Sequence, residues 1–175
     1  MSLFRRIADE TAAESPLWRA ALLPEGERLE EPVFSPLLQD QPLVIGLETI
    51  YEGYLLHYGR SRLFAPDDGD VAILLGDALL AHGLVRVAAT GLLGAVTDLA
   101  ELLSLCAQAR ADGLPGDGPA WAATSALLGR DGLAEARAAL RNEGDPQPLE
   151  TLARKAAGDT AVDAALAAHD RHAVV

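Results

Sequence analysis

The chain has 175 residues, a net charge of −12 at neutral pH and a single cysteine. This length fits one domain with a sizeable core, and the negative charge makes nucleic acid an unsuitable partner because it repels the phosphate backbone. A lone cysteine excludes an internal disulfide. Because Cys106 lies in an apolar helical pattern, we expect its thiol to be buried and unreactive.

The composition favours helices over sheets. Ala and Leu dominate, aromatic residues make up only 5%, and no alternating β-branched run is flanked by hairpin signals. We therefore predict an all-α protein, a compact helical bundle in which residues 1–175 form a single helical domain. Arg5 and Arg6 are not followed by an apolar stretch, so we expect no secretory signal and a cytoplasmic protein.

Helical periodicity and turn residues divide the chain into elements. Helices are predicted, in chain order, for residues 2–14, 15–23, 43–58, 70–111 (a run that glycines at 91 and 94 divide into two helices), 120–128, 132–140, 149–157 and 160–169. Residues 24–42 hold four prolines and predict an irregular, exposed connection with one helical turn at residues 36–39. Breaks rich in Gly and Pro are expected at residues 114–119 and 142–148.

The run at residues 70–111 predicts the centre of the bundle. Its first half has apolar side chains at helical spacing on one face and further apolar residues opposite, which is typical of a helix with neighbours on several sides. The predicted core face comprises Val71, Leu74, Leu75, Ala78, Leu79, His82, Val85 and Ala89. Because Asp77 and Arg86 interrupt the run, no uncharged window of about 18 residues remains, and we expect no membrane span.

An acidic pair forms the first candidate site. Glu48 and Glu52 are four residues apart in a predicted helix, so both carboxylates lie on one helical face, where they could share a divalent cation. The alternative is an acidic face that is simply hydrated.

The sequence around this pair resembles the front part of the trans-isoprenyl (polyprenyl) diphosphate synthases. That family has an Asp-Asp-x-x-Asp helix, then Arg-Arg-Gly-x-Pro, then a helix with Ala-Ile-Leu-x-Gly-Asp-x-Leu-Leu-Ala. Glu48 and Glu52 stand where the first and last aspartates would lie, and His57 and Tyr58 stand in place of the two arginines. Residues 72–81 then match the third motif, including its Gly-Asp pair.

The resemblance covers about residues 43–109 and implies a bundle like part of the isoprenoid-synthase fold. It also implies a diphosphate and metal site, in which Glu48 and Glu52 would hold Mg²⁺; its residues are Glu48, Glu52, His57, Arg60, Arg62 and Asp77. The chain departs from the family because Thr49 replaces the middle aspartate and no second aspartate-rich motif follows. Since catalysis there needs metal between two facing acidic motifs, we interpret the chain as a relative that has lost catalysis. No cofactor is then expected, unless the acidic pair binds Mg²⁺.

Charged residues after this pair allow two interpretations. Arg60 and Arg62 could hold an anion such as phosphate, or they could form surface ion pairs with Asp67 or Asp68. The acidic run at residues 67–70 lacks the spacing of an EF-hand loop, so it predicts helix capping by an aspartate and solvation.

The histidines are weaker candidates. His82 is expected to be a core histidine rather than a ligand because it lies on an apolar face. His169 and His172 are three residues apart in a predicted fraying tail, where metal binding is the less favoured alternative.

Three functions are open at this point. The first is a non-catalytic, polyprenyl-synthase-like helical protein that acts as a regulatory or structural subunit, in a homodimer or beside a related helical synthase. The second is a residual Mg²⁺-dependent prenyl-diphosphate binder or prenyltransferase, and the third is a helical scaffold unrelated to isoprenoids. A large apolar surface patch would favour the first function, whereas a cavity between the helices at 43–58 and 70–89 would favour the second.

Overall fold

The computed structural model describes residues 2–173, and within them the protein is all-α, as predicted. The α-helices of this part are α1 (Leu3–Glu14), α2 (Pro16–Ala21), α3 (Val44–Tyr58), α4 (Gly69–Ala88), α5 (Leu93–Ala111), α6 (Asp117–Ala126), α7 (Ala134–Glu143), α8 (Gln147–Ala157) and α9 (Asp159–His172). Each predicted helix corresponds to an observed one, and the two predicted breaks shorten to residues 112–116 and 144–146.

Polar caps fix three of the helix starts. The Ser2 hydroxyl accepts the backbone N–H of Arg5 in the first turn of α1, and the Ser15 hydroxyl accepts that of Leu17 in α2, which has Pro16 at its first position. Asp68 caps α4 by accepting from the N–H of Asp70 at 2.7 Å. The acidic run at residues 67–70 therefore contributes a cap, as the sequence predicts.

The centre of the bundle is α3, not the predicted run at residues 70–111. Ten of the 15 residues of α3 are buried, and so are eight of the ten residues of α6. The aromatic rings of Tyr51 and Tyr54 on α3 pack against Trp121 on α6, with ring centroids 5.0 and 5.3 Å apart. Phe34 stacks on the same indole at 5.7 Å.

Residues 24–42 are less exposed than predicted. Phe34 is buried in the main core beside Trp121, and its neighbours Val33, Leu37 and Leu38 are buried as well. The chain here forms three short 3-10 turns, one of them at Ser35–Leu37. Apolar side chains, and not backbone regularity, therefore hold this connection against the core.

Helix α4 packs closely on α3 through glycines. A Cβ atom on Gly83 would lie 2.8 Å from the carbonyl oxygen of Gly46, and one on Gly53 would lie 2.8 Å from that of Gly76. Such an approach is open only to glycine. The buried residues of α4 are therefore Leu75, Gly76, Leu79, Gly83 and Val87.

The predicted core face of α4 is confirmed at Leu75 and Leu79, which are fully buried, but is wrong at several other positions. Leu74 is 55% exposed and Val85 is 66% exposed. His82 is half-buried, not a core histidine, and its Nδ1 lies 3.3 Å from Glu14 Oε1. The glycine contacts rotate these side chains outward, since the face that meets α3 is the one that carries Gly76 and Gly83.

The outward side of α4 is an apolar stripe, which we call the α4 face: Leu74, Ala78, Ala81, Val85 and Ala88. Ala78 is half-buried and the other four are exposed. Within residues 2–173, α4 is the one helix long and apolar enough to cross a membrane by length and composition, and 28% of that window is buried in the protein.

Candidate functional site

Glu48 and Glu52 project from α3 into the protein, not into solvent. Their relative exposures are 1% and 0%. The interpretation as a hydrated acidic face is therefore wrong. Buried carboxylates require partners because an unpaired charge in the interior is very costly, and the loop between α3 and α4 supplies one.

That partner is Arg62, whose side chain is also fully buried. Its Nη1 donates to Glu48 Oε2 at 2.8 Å, and its Nε donates to Glu52 Oε2 at 2.9 Å. The guanidinium lies over the rings of Phe4 and Tyr51, 4.9 and 5.0 Å from their centroids. We call Glu48, Glu52 and Arg62 the Glu–Arg–Glu cluster; the predicted surface pairing of Arg62 with Asp67 or Asp68 was wrong.

The remaining carboxylate oxygens of the cluster are also occupied. Glu52 Oε1 accepts the backbone N–H groups of Arg62 and Leu63 at 2.8 and 2.9 Å, together with the hydroxyl of Ser61. Glu48 Oε1 accepts the N–H of Ser35 at 3.3 Å. Burial alone would lower the pKa of Arg62, but the neighbouring carboxylates of Glu52 and Glu48 raise it. The guanidinium therefore stays charged and holds residues 59–68 onto α3.

This arrangement does not fit a Mg²⁺ site. A cation between Glu48 and Glu52 would meet the guanidinium of Arg62, which already lies there. Among residues 2–173, no three His, Cys, Asp or Glu side chains are grouped so that they could hold a metal ion. What the cluster can do chemically is to fix the loop, since one guanidinium bridges two buried carboxylates whose other oxygens accept backbone N–H groups.

The structure divides the predicted diphosphate site into separate places. Only Arg62 joins the two glutamates, whereas His57 lies 3.0 Å from Asp77, Nε2 to Oδ1, across the α3–α4 contact. These two atoms form no hydrogen bond with each other. The Arg60 side chain is exposed at the surface.

His57 and Asp77 line a small cleft between α3, α4 and α5. Its volume is about 210 Å³, and its other lining residues are Tyr54, Tyr58, Leu80, Leu103 and Ala107. Pockets for small molecules usually measure about 300–1,000 Å³. The cleft is therefore too small to enclose a prenyl diphosphate, although it lies between the helices at 43–58 and 70–89, where a cavity would favour the second of the three functions.

A polar cluster around Asp117 was not predicted. The carboxylate accepts the hydroxyl of Tyr54 and the Nε of Arg110, the latter at 3.0 Å, and the Nε2 of His169 lies 3.6 Å away, too far for a hydrogen bond. Nδ1 of His169 is 2.9 Å from the Tyr51 hydroxyl. Burial would raise the pKa of Asp117, but these neighbours lower it well below its usual range. The partners are distant in sequence, so no local motif reveals them.

The end of α9 is a buried element, not a fraying tail. His169 and His172 are 2% and 3% exposed. The carbonyl of His172 accepts the N–H of Arg60 at 2.7 Å, which joins α9 to the loop that carries Arg62. Burial lowers the pKa of His172, and the charge of Arg62 adds to this effect. Residues 174 and 175 lie outside the described residues.

Comparisons of the chain with family models, with curated proteins and with solved structures find no match. The resemblance to the trans-isoprenyl diphosphate synthases therefore stays a prediction. The chemistry from which a function can be inferred is that of the two polar clusters and the cleft.

Proposed function

We propose that this chain is a non-catalytic, polyprenyl-synthase-like helical protein that acts as a partner or structural subunit. The observation that carries the proposal is the α4 face, where Leu74 and Val85 are more than half exposed. Leu92 and Leu93, exposed by 44% and 70%, extend the apolar surface beyond the end of α4. A contiguous apolar surface of this kind favours a site of association over plain solvent exposure.

The Glu–Arg–Glu cluster supports the non-catalytic part of the proposal. Release of a diphosphate in the synthases requires metal ions on carboxylates. Here the oxygens of Glu48 and Glu52 accept hydrogen bonds from Arg62 and from backbone N–H groups. A metal would have to displace the guanidinium and leave it buried without a partner, which is strongly unfavourable.

The test is turnover of allylic diphosphates. Purified protein is incubated with isopentenyl diphosphate, an allylic diphosphate and excess Mg²⁺, and pyrophosphate release is followed. We expect none above the rate without protein. Steady Mg²⁺-dependent release that disappears in the variant Glu48→Gln/Glu52→Gln, provided that the variant is folded by circular dichroism, would refute the proposal.

A second candidate is a residual diphosphate-binding protein, and the cleft between α3, α4 and α5 is the observation that favours it. His57 and Asp77 lie at this cleft, so the ligand would be held there and not by the two glutamates. Calorimetric titration with inorganic pyrophosphate and Mg²⁺ tests it. Heat that is lost in His57→Ala but kept in His82→Ala would establish this second function.

A further inference from the structure

We infer that the α4 face binds the α4 face of a second copy of this chain, antiparallel, with the two-fold axis beside Ala81. This inference rests on the proposed function, because it names the partner of the surface that carries that function. It also specifies the register of the two helices, which residue spacing, side-chain size and charge each support.

The spacing of the α4 face is that of a helix–helix seam. Its residues follow one another at intervals of four, three, four and three, from Leu74 to Ala88. A repeat averaging 3.5 residues keeps the same stripe of two helices in contact along their length. The stripe faces outward over nearly the whole of α4, so it is free to meet another helix.

The sizes of the side chains select an antiparallel register. Leu74 and Ala88 each lie seven residues from Ala81, whereas Ala78 and Val85 lie three and four residues from it. A two-fold axis at Ala81 therefore sets each large residue opposite a small one. In a parallel pair Leu74 would face Leu74 and Val85 would face Val85, and these large side chains would hold the helices apart. The small residues between them, such as Ala78 facing Ala78, would then leave a gap.

The distribution of charge favours the same direction. The α4 face carries no charged side chain, so a contact between two copies brings no like charges together within it, although each chain has a net charge of −12. Asp77 flanks the face and its side chain is 65% exposed. In the antiparallel register the two Asp77 residues are about 12 Å apart along the axis, beyond the screening length of roughly 8 Å. In a parallel pair they would lie side by side.

The extent of the face predicts a weak dimer. A helix of 20 residues is about 30 Å long and about 10 Å wide, so each copy covers roughly 300 Å² in projection and the pair roughly 600 Å², below the roughly 1,200 Å² of a stable interface and within the range of weak, transient contacts. We expect a dissociation constant in the micromolar range. An anionic lipid surface repels the negative chain as a second copy does, but it offers no counterpart to the alternation of large and small side chains along the α4 face, which a second α4 matches.

Disulfide trapping tests the register. The variant Ala81→Cys should form a covalent dimer under mild oxidation, because the axis brings its two sulfur atoms together. Ala88→Cys is the matched control, since its two copies are about 21 Å apart in the antiparallel pair. A mixture of Ala78→Cys with Val85→Cys should also cross-link. Dimers of Ala88→Cys without dimers of Ala81→Cys would overturn the inference, and buried Cys106 contributes no competing thiol.

Sedimentation tests the partner. Wild type should shift from its 18.4 kDa monomer to a dimer across micromolar concentrations, and Val85→Glu should weaken this at least about tenfold. The control Leu29→Glu changes a residue that is 50% exposed outside the face and should leave the dimer intact.

Two outcomes refute the dimer without touching the non-catalytic proposal. One is a wild type that stays monomeric while Ala81→Cys remains unlinked. The other is co-sedimentation of wild type, but not Val85→Glu, with phosphatidylglycerol vesicles, which would assign the face to lipid. The result of the pyrophosphate-release assay, which tests the non-catalytic proposal, does not depend on either outcome.

Discussion

Arg62 Nε donates a hydrogen bond to Glu52 Oε2 at 2.9 Å, and neither side chain is exposed to solvent. A second bond from Arg62 Nη1 to Glu48 makes the guanidinium the centre of three buried charges. Replacement of a whole buried ion cluster by apolar residues is often tolerated, whereas loss of one member leaves the others without a partner. This asymmetry makes the cluster a test of fold stability.

Arg62→Leu should destabilise the protein by about 3–5 kcal/mol, because it leaves two carboxylates buried without a counter-ion. The measurement is the free energy of unfolding from urea titration. Arg60→Leu is the control, since the side chain of Arg60 is exposed and its loss should change stability by less than about 0.5 kcal/mol. Equal effects of the two variants would contradict the structural role of Arg62.

The glycine contact between α3 and α4 gives a second prediction. A Cβ at Gly83 would overlap the side chain of Ile50 and lie 2.8 Å from the carbonyl of Gly46, so Gly83→Ala should cost about 1–3 kcal/mol by overpacking. Gly69→Ala, at the start of the same helix with no heavy atom within 4 Å, should instead stabilise the protein by up to about 1 kcal/mol. Thermal unfolding distinguishes the two, and a tolerated Gly83→Ala would mean that α4 packs elsewhere.

This contact also explains what sequence analysis could and could not supply for the fold. Periodicity located the helices, and the acidic run at residues 67–70 located the start of α4, because those signals are local. The inward face of α4 was predicted only in part, at Leu75 and Leu79, because bulky residues such as Leu74 and Val85 satisfy the same helical spacing as the buried ones. Only the position of α3 shows that the small residues face inward, and that position is a tertiary property.

The candidate site was predictable only in part. Glu48 and Glu52 were singled out by their spacing, but their partner Arg62 comes from a loop whose direction no periodicity specifies. The contact of Asp117 with His169 joins residues 52 positions apart. Contacts of that kind are set by how the helices pack, so the sequence pattern does not indicate them.

The buried His172 predicts a pH dependence of stability. Its pKa is lowered in the folded protein, by burial first and then by the charge of Arg62, whereas an unfolded histidine titrates near about 6.5. As the pH falls through about 6.5, the unfolded state therefore takes up the proton first and stability decreases, until the folded pKa is reached. Urea midpoints between about pH 8 and pH 5 should fall less steeply in His172→Gln than in wild type. Identical slopes for His172→Gln and wild type would contradict the prediction.

Cys106 should be unreactive while the protein is folded. The thiol is completely buried and burial raises its pKa, so a thiol-specific reagent meets neither an accessible sulfur atom nor a thiolate. Labelling with Ellman's reagent should be slow in buffer and fast in denaturing urea. Rapid labelling of the native protein would show that α5 opens at Cys106.

The final prediction uses two adjacent leucines to test the orientation of α4. Leu75 is fully buried in an apolar cluster with Phe4 and Ile7 of α1, whereas Leu74 is 55% exposed on the α4 face. Leu75→Asp places an unpaired carboxylate in the interior and should cost roughly 4 kcal/mol or more, enough to unfold a protein of ordinary stability. Leu74→Asp should stay within about 0.5 kcal/mol of wild type and yet weaken self-association, because it places charge on the seam. Circular dichroism with urea measures the first effect and sedimentation the second. If Leu74→Asp unfolded the protein and Leu75→Asp did not, the outward face of α4 would be the buried one.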